Sequence, residues 1–187
     1  MLVLVVGPSG AGKDTLIERA REALAGQPGF RFVRREITRP EGAGGEDHIA
    51  VTPELFAARR AAGAYAMAWE AHGLGYGIPA DITGDLDSGH VVVVNVSRAV
   101  LVEASRRFAT RVLEITAPVE VLARRLAARG RESEADIATR LARAVPLPDG
   151  LDVVSVVNDG PVDAGVARVL AVLRSTRPGV PGQCAGR

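Results

Sequence analysis

The apolar positions of this chain fall into short solid runs separated by stretches with helical spacing. Leu2-Val3-Leu4-Val5-Val6 and Val91-Val92-Val93-Val94 are apolar without interruption, the pattern of strands buried on both faces. Val112 to Thr116 and Val153 to Val157 read as two further strands. Helical stretches lie between and around them: Lys13 to Ala25, a segment near Ala80 to Asp87, amphipathic Val100 to Phe108, a helix that Pro118 opens and that runs to Ala128, and Val162 to Arg174. Strands alternating with helices predict a doubly wound parallel α/β sheet.

One block breaks the alternation. Phe30 to Thr38 reads as a polar strand, and Thr38 to His48 as a glycine-rich loop that cannot pack as core. Thr52 caps a short helix with Pro53 at its first position. Two short strands, around Tyr65 to Glu70 and Leu74 to Ile78, join at a His72-Gly73 turn. The block from 36 to 78 is therefore expected to be a small, mostly β insertion between the first and second αβ units. Residues 1–175 then form a single domain, and the Pro- and Gly-rich residues 176–187 are expected to be a disordered tail.

The first apolar run leads directly into Gly7-Pro8-Ser9-Gly10-Ala11-Gly12-Lys13-Asp14-Thr15. Strand, glycine loop and helix in that order are the context a phosphate-binding loop requires. Glycines without a Cβ let several backbone N–H groups turn toward one anion, and the helix adds the positive end of its dipole. Residues 7 to 15 are thus expected to bind ATP, with Lys13 reaching the β- and γ-phosphates. Lys13 is also the only lysine among 23 basic residues. The hydroxyl residue usual after the lysine is replaced by Asp14, with Thr15 one place later. Asp14 is a candidate Mg²⁺ ligand, since a carboxylate suits a hard cation; as a carboxylate in the first helical turn it equally suits the dipole.

Bulk properties narrow the class of partner. A net charge of +1 over 187 residues favours neither nucleic acid nor a membrane surface. No apolar run approaches a membrane span, and the N-terminus enters a strand without the basic and small-residue features of a signal peptide. The expectation is a cytoplasmic enzyme acting on small molecules. Cys184, the single cysteine, lies in the tail and is an improbable catalyst.

A second cluster holds Arg124, Arg125, Arg129, Arg131, Arg140 and Arg143. Arg129 and Arg140 are about three helical turns apart and can project to one side of a helical hairpin. Guanidinium forks there can neutralise a transferring phosphoryl group. Arg124, Arg125 and Arg143 read instead as a solvated face paired with Glu132, Glu134 and Asp136.

Taken together, Gly7 to Thr15, Thr38-Arg39, Val51 to Pro79 with its Trp69-Glu70-Ala71-His72-Gly73-Leu74-Gly75-Tyr76-Gly77, and Arg125 to Glu132 resemble the guanylate kinase superfamily of P-loop kinases. The resemblance implies that the β-rich insertion holds a phosphate acceptor and that residues 129–140 form an arginine lid over ATP. It implies that Arg39 grips the acceptor's phosphate and Tyr76 hydrogen-bonds it, that Lys13, Arg129 and Arg140 are catalytic, and that Asn158 sits near the adenine. Carried to the same positions, His48 and Asn95 complete the acceptor-binding set.

The departures from a guanylate kinase are as informative. Ala68 stands where an acid reads guanine, His48 replaces a tyrosine, Ile78 replaces a small hydroxyl residue, and Asn95 and Ser97 replace strand-end acids. The loop after Arg39 is shorter and lacks a second arginine. Losing those partners costs a base-reading site orders of magnitude in discrimination. Asp14, Ile37-Thr38-Arg39, Glu46-Asp47-His48-Ile49-Ala50, Val94-Asn95-Val96-Ser97-Arg98 and Asn158-Asp159-Gly160 instead resemble the ribose 1,5-bisphosphate phosphokinases of bacterial phosphonate breakdown. That resemblance implies an ATP- and Mg²⁺-dependent transfer to ribose 1,5-bisphosphate, giving 5-phosphoribosyl 1-diphosphate. The alternatives are a nucleoside monophosphate kinase with altered base preference and a non-catalytic guanylate-kinase-like module that binds phosphorylated protein.

Overall fold

In a computed structural model, residues 1–42, 46–128 and 146–177 are described. A parallel sheet of five strands carries the fold. Its members are β1 (Leu2–Val6), β2 (Phe30–Phe32), β7 (Val91–Asn95), β8 (Thr110–Thr116) and β9 (Val153–Val157), in the spatial order β2-β7-β1-β8-β9. The central strand β1 is buried along its whole length, and its side chains divide by the period of two. Leu2, Leu4 and Val6 join one core with Val92, Val94 and Leu101, while Val3 and Val5 join another with Leu16, Leu113 and Leu173.

Helices fill both faces. Helices α1 (Lys13–Ala23), α5 (Val119–Ala127) and α6 (Val162–Ser175) supply the second core through Leu16, Ala20, Leu122, Val169 and Leu173. Helices α3 (Ile82–Asp87) and α4 (Leu101–Arg107) supply the first through Ile82, Leu101 and Ala104.

The insertion has its own sheet, of four strands in the order β4-β3-β6-β5: β3 (Glu36–Ile37), β4 (Ile49–Ala50), β5 (Tyr65–Ala71) and β6 (Leu74–Pro79). Helix α2 (Pro53–Ala61) packs beside it, with the expected Thr52 cap accepting from the Leu55 N–H at 3.2 Å. The β5–β6 turn is His72-Gly73 at φ 52° and 74°, the paired positive values of a tight hairpin. Ala66, Met67, Trp69 and Ile78 bury one face of this sheet in the core that holds Leu2 and Leu4, so the insertion is fixed to the main body.

Two expectations change. The single strand foreseen over Phe30 to Thr38 is two strands in different sheets: Phe30 and Phe32 pair with β7, whereas Glu36 and Ile37 pair with β4 and β6. Arg34 and Arg35 between them make ion pairs with Asp47 and Glu46, which draw the chain from one sheet to the other. Ile49–Ala50, just beyond the glycine-rich loop, form an edge strand. Thr176 and Arg177, foreseen in the tail, are held in place: Thr176 is buried and donates its hydroxyl to Val172 O at 2.7 Å, and Arg177 lies 5.3 Å over the Phe30 ring. The rest of the tail lies outside the described residues. Among the described residues no helix is long and apolar enough to cross a membrane.

Candidate active site

The glycine loop leaves the C-terminal end of β1, the central strand, where ligands of doubly wound sheets bind. Gly7 passes so close to β8 that a Cβ would meet the Ile115 carbonyl oxygen at 1.9 Å. Gly12, at φ 85°, is the residue that precedes α1 and offers no side chain to cap it. The N–H groups of the first turn therefore keep no side-chain cap and are available to an anion.

Lys13 folds back over the loop, its Nζ donating to Gly7 O at 2.8 Å and Pro8 O at 3.0 Å. Burial pushes its ammonium below the ordinary lysine value. The carboxylates of Asp14 and Glu46 oppose that shift, and the guanidinia of Arg35 and Arg98 add to it. An incoming polyphosphate supplies negative charge that opposes this shift.

Beside the loop opens a cavity of about 310 Å³, lined among others by Gly7, Lys13, Arg35, Arg39, Tyr76 and Asn95. Strand pairing in the insertion builds its far wall. Trp69 and Tyr76 face each other across β5 and β6, and their rings stack at 5.4 Å with 4° between planes. The Arg35 guanidinium lies 5.0 Å over the Tyr76 ring and 5.7 Å over Trp69. Its Nε donates to Glu46 Oε1 at 2.7 Å, and its terminal nitrogen pairs with the same carboxylate. Arg39 follows Thr38, whose hydroxyl accepts from the Gly75 N–H at 2.8 Å and pins the start of the loop to β6. Arg39 Nε is buried and has no hydrogen-bond partner among the described residues. A buried cationic donor without an acceptor is a place for an anion.

Asn95 ends β7 and connects the two halves of the site. Its amide nitrogen donates to Glu46 Oε2 at 3.0 Å and lies 3.3 Å from Asp14 Oδ1. Asp14 is exposed at the first turn of α1, next to the lysine and to Thr15. Oxygen donors in that position fit Mg²⁺, which is held by one or two carboxylates together with substrate phosphates. A neighbouring groove of about 550 Å³ runs along α1, but the arginines that line it are neutralised, Arg21 by Glu18 and Arg34 by Asp47.

The structure thus brings Lys13, Asp14, Arg39, Tyr76 and Asn95 to one cavity. His48 does not reach it. Its ring is buried, with Nε2 at 3.2 Å from Arg39 O and Nδ1 at 3.3 Å from the Arg39 guanidinium and 3.1 Å from Glu46 O, so it clasps the two ends of the loop and positions Arg39. Asn158 is likewise buried, its amide donating to Ala11 O at 2.8 Å beneath the glycine loop. Arg125, expected on a solvated face, reaches Gly10 O at 3.4 Å. Arg129, Arg131, Arg140 and the rest of the anticipated lid lie outside the described residues.

Sequence reasoning missed two residues, Arg35 and Glu46. Arg35 brings a second guanidinium to the cavity that Arg39 lines. A signal was present in the Arg34-Arg35 pair flanked by aromatic and β-branched positions, but nothing local distinguishes the two arginines.

Residues 3–143 match the AAA domain family. The chain is 51% identical over 173 residues to the ribose 1,5-bisphosphate phosphokinase PhnN of Acidiphilium cryptum, covering 92% of each chain. Against the protein of that name from Methylobacterium radiotolerans it is 50% identical over 177 residues, 93% of this chain and 97% of the other. It is also 50% identical to part of the bifunctional ribose 1,5-bisphosphokinase-thymidine phosphorylase of Cupriavidus pinatubonensis, of whose length it spans 29%. Among solved structures, the guanylate kinase of Anaplasma phagocytophilum shares the fold, with a TM-score of 0.69 at 19% identity over 96% of this chain and 87% of that one. By its glycine loop, its β-rich insertion and these relatives, the chain belongs to the ribose 1,5-bisphosphate phosphokinase family of P-loop kinases.

Proposed function

We propose that this chain transfers the γ-phosphoryl group of ATP to an oxygen of the 1-phosphate of ribose 1,5-bisphosphate, giving ADP and 5-phosphoribosyl 1-diphosphate. The observation that carries this reading is the make-up of the cavity beside the glycine loop, where Lys13, Arg35 and Arg39 converge. Asn95 at the strand end is neutral, and the His48 ring is held by the Arg39 side chain and by loop backbone. A phosphate acceptor is already ionised, so no proton has to be removed. Its oxygen attacks the γ-phosphorus, the bond to the β-phosphate oxygen breaks, and ADP leaves with the electron pair. Catalysis then rests on alignment and charge neutralisation, which guanidinium and ammonium groups supply.

Lys13 and the N–H groups of the loop hold the β- and γ-phosphates, Arg39 and Arg35 hold the acceptor's phosphate, and Asp14 with Thr15 holds Mg²⁺. Mg²⁺ held there would supply electrostatic stabilisation of the phosphate charge. Arg129 and Arg140 complete the clamp by the family resemblance. A nucleoside monophosphate acceptor has less support. Ala68 brings no carboxylate, Glu70 is exposed and paired with Arg60 at 3.0 Å, and Ile78 is fully buried. The resemblance also supports a cytoplasmic setting in phosphonate breakdown. An ADP-release assay across ribose 1,5-bisphosphate, GMP, AMP and ribose 5-phosphate tests the reading, which requires the first to be the preferred acceptor. A nucleotide that matched it would replace this reading with the nucleoside monophosphate kinase.

A further inference from the structure

Once the acceptor's phosphates are held by cations, its ring hydroxyls remain to be recognised. A cavity built for a polyanion nevertheless contains the carboxylate of Glu46, which only accepts hydrogen bonds and repels phosphate. That carboxylate is not a solvated surface group, since its side chain is 14% exposed and Arg35 fixes it through Oε1. Its other oxygen, Oε2, accepts from Asn95 Nδ2 at 3.0 Å. A carboxylate has about four lone-pair sites, so these bonds leave capacity for a further donor. A sugar hydroxyl is such a donor, and a phosphate oxygen without a proton is not.

We propose that Glu46 and Asn95 form the element that reads the vicinal 2- and 3-hydroxyls of the acceptor sugar. The inference rests on the function proposed above and extends it to the choice of sugar. Glu46 accepts from one hydroxyl and the Asn95 amide pairs with its neighbour. Arg35, Arg39 and Lys13 line the same cavity, so the phosphates and the hydroxyls of one sugar find separate partners there.

The test compares ribose 1,5-bisphosphate with its 2-deoxy and 3-deoxy analogues in the wild type, Glu46→Ala and Asn95→Ala. The wild type is expected to favour the ribose form over at least one analogue by about a hundredfold or more in kcat/KM, as sites that hydrogen-bond a hydroxyl do. In Glu46→Ala that ratio is expected to fall to within about fivefold, because the ribose form loses its contact and the analogue has none to lose. Equal losses for ribose and deoxy acceptors, or a shifted Mg²⁺ requirement with the ratio intact, would show that Glu46 only anchors Arg35 or binds metal, and would overturn the proposal. Should the variants fail to fold by circular dichroism, the wild-type ratios still decide, since indifference to both deoxy analogues overturns it. A wild type that turned over none of the three sugars would instead strike the proposed function itself.

Discussion

The side-chain amide of Asn158 donates to the backbone carbonyl of Ala11 at 2.8 Å, joining residues 147 positions apart. The end of β9 thereby holds the glycine loop from beneath, and a Cβ on Gly12 would meet the same amide nitrogen at 2.6 Å. Asn158→Ala leaves a buried carbonyl without its donor, a loss of about 1–3 kcal/mol. Urea denaturation should show that loss, and the KM for ATP should rise as the loop loosens. Unchanged stability together with a selective loss of adenine discrimination would return Asn158 to the role of a base contact.

Lys13 and Asp14 stand side by side but should fail differently. Lys13→Ala removes a charge aimed at the transferring group and is expected to lower kcat by about 10²–10³ with the fold intact by circular dichroism. Asp14→Ser should shift the Mg²⁺ concentration needed for half-maximal rate more than the affinity for ATP. If Asp14 serves only the helix dipole, thermal stability will move and metal dependence will not.

Arg35 is placed by stacking as well as charge, 5.0 Å over Tyr76 and bound to Glu46. Arg35→Ala should weaken kcat/KM for the acceptor by about 10–100-fold, the worth of one charge-assisted hydrogen bond, while the KM for ATP stays near the wild-type value. Arg35→Lys should not restore it, because an ammonium has neither the planar fork nor the stacking face. A larger effect on ATP than on the acceptor would place Arg35 on the wrong side of the reaction.

The insertion is secured by Glu36, a buried carboxylate paired with Arg59 that also accepts from the Tyr65 hydroxyl at 2.6 Å. Burial first, and then Glu36, push the Tyr65 phenol well above its ordinary value of 10.0. Above pH 10 the folded chain therefore holds a proton that the unfolded chain releases, and this contribution to stability is present below that pH and lost above it. Tyr65→Phe should cost about 1–3 kcal/mol at neutral pH by leaving Glu36 short of a donor. The difference in stability between wild type and variant should shrink as pH rises beyond 10, when urea titrations are compared pH by pH. A difference independent of pH would contradict the assignment.

Much of this was legible in the sequence, for physical reasons that differ from one residue to the next. The solid runs at Leu2 and Val91 could only be strands covered on both faces, and the loop from Gly7 had to follow the first of them. Arg39 and Tyr76 were named through the family resemblance and Asn95 as the end of a central strand, and all three line the cavity beside the glycine loop. Arg35 and Glu46 were not singled out, because their pairing depends on β3, β5 and β6 bringing Trp69 and Tyr76 under one of two adjacent arginines. His48, Asn158 and Arg125 were placed at the right ends of the right elements. Which neighbour each hydrogen-bonds is a matter of tertiary packing, and there all three turn toward loop backbone.

The central claim is that the bond made joins phosphate to phosphate on the sugar's first carbon. Phosphorus NMR of a reaction with ATP and ribose 1,5-bisphosphate tests this most directly. The 1-phosphate resonance should disappear and be replaced by two mutually coupled diphosphate signals, while the 5-phosphate signal persists and ADP accumulates in equal amount. A new phosphate monoester signal, from transfer to a ring hydroxyl, or ADP formed with the sugar unchanged, would contradict it.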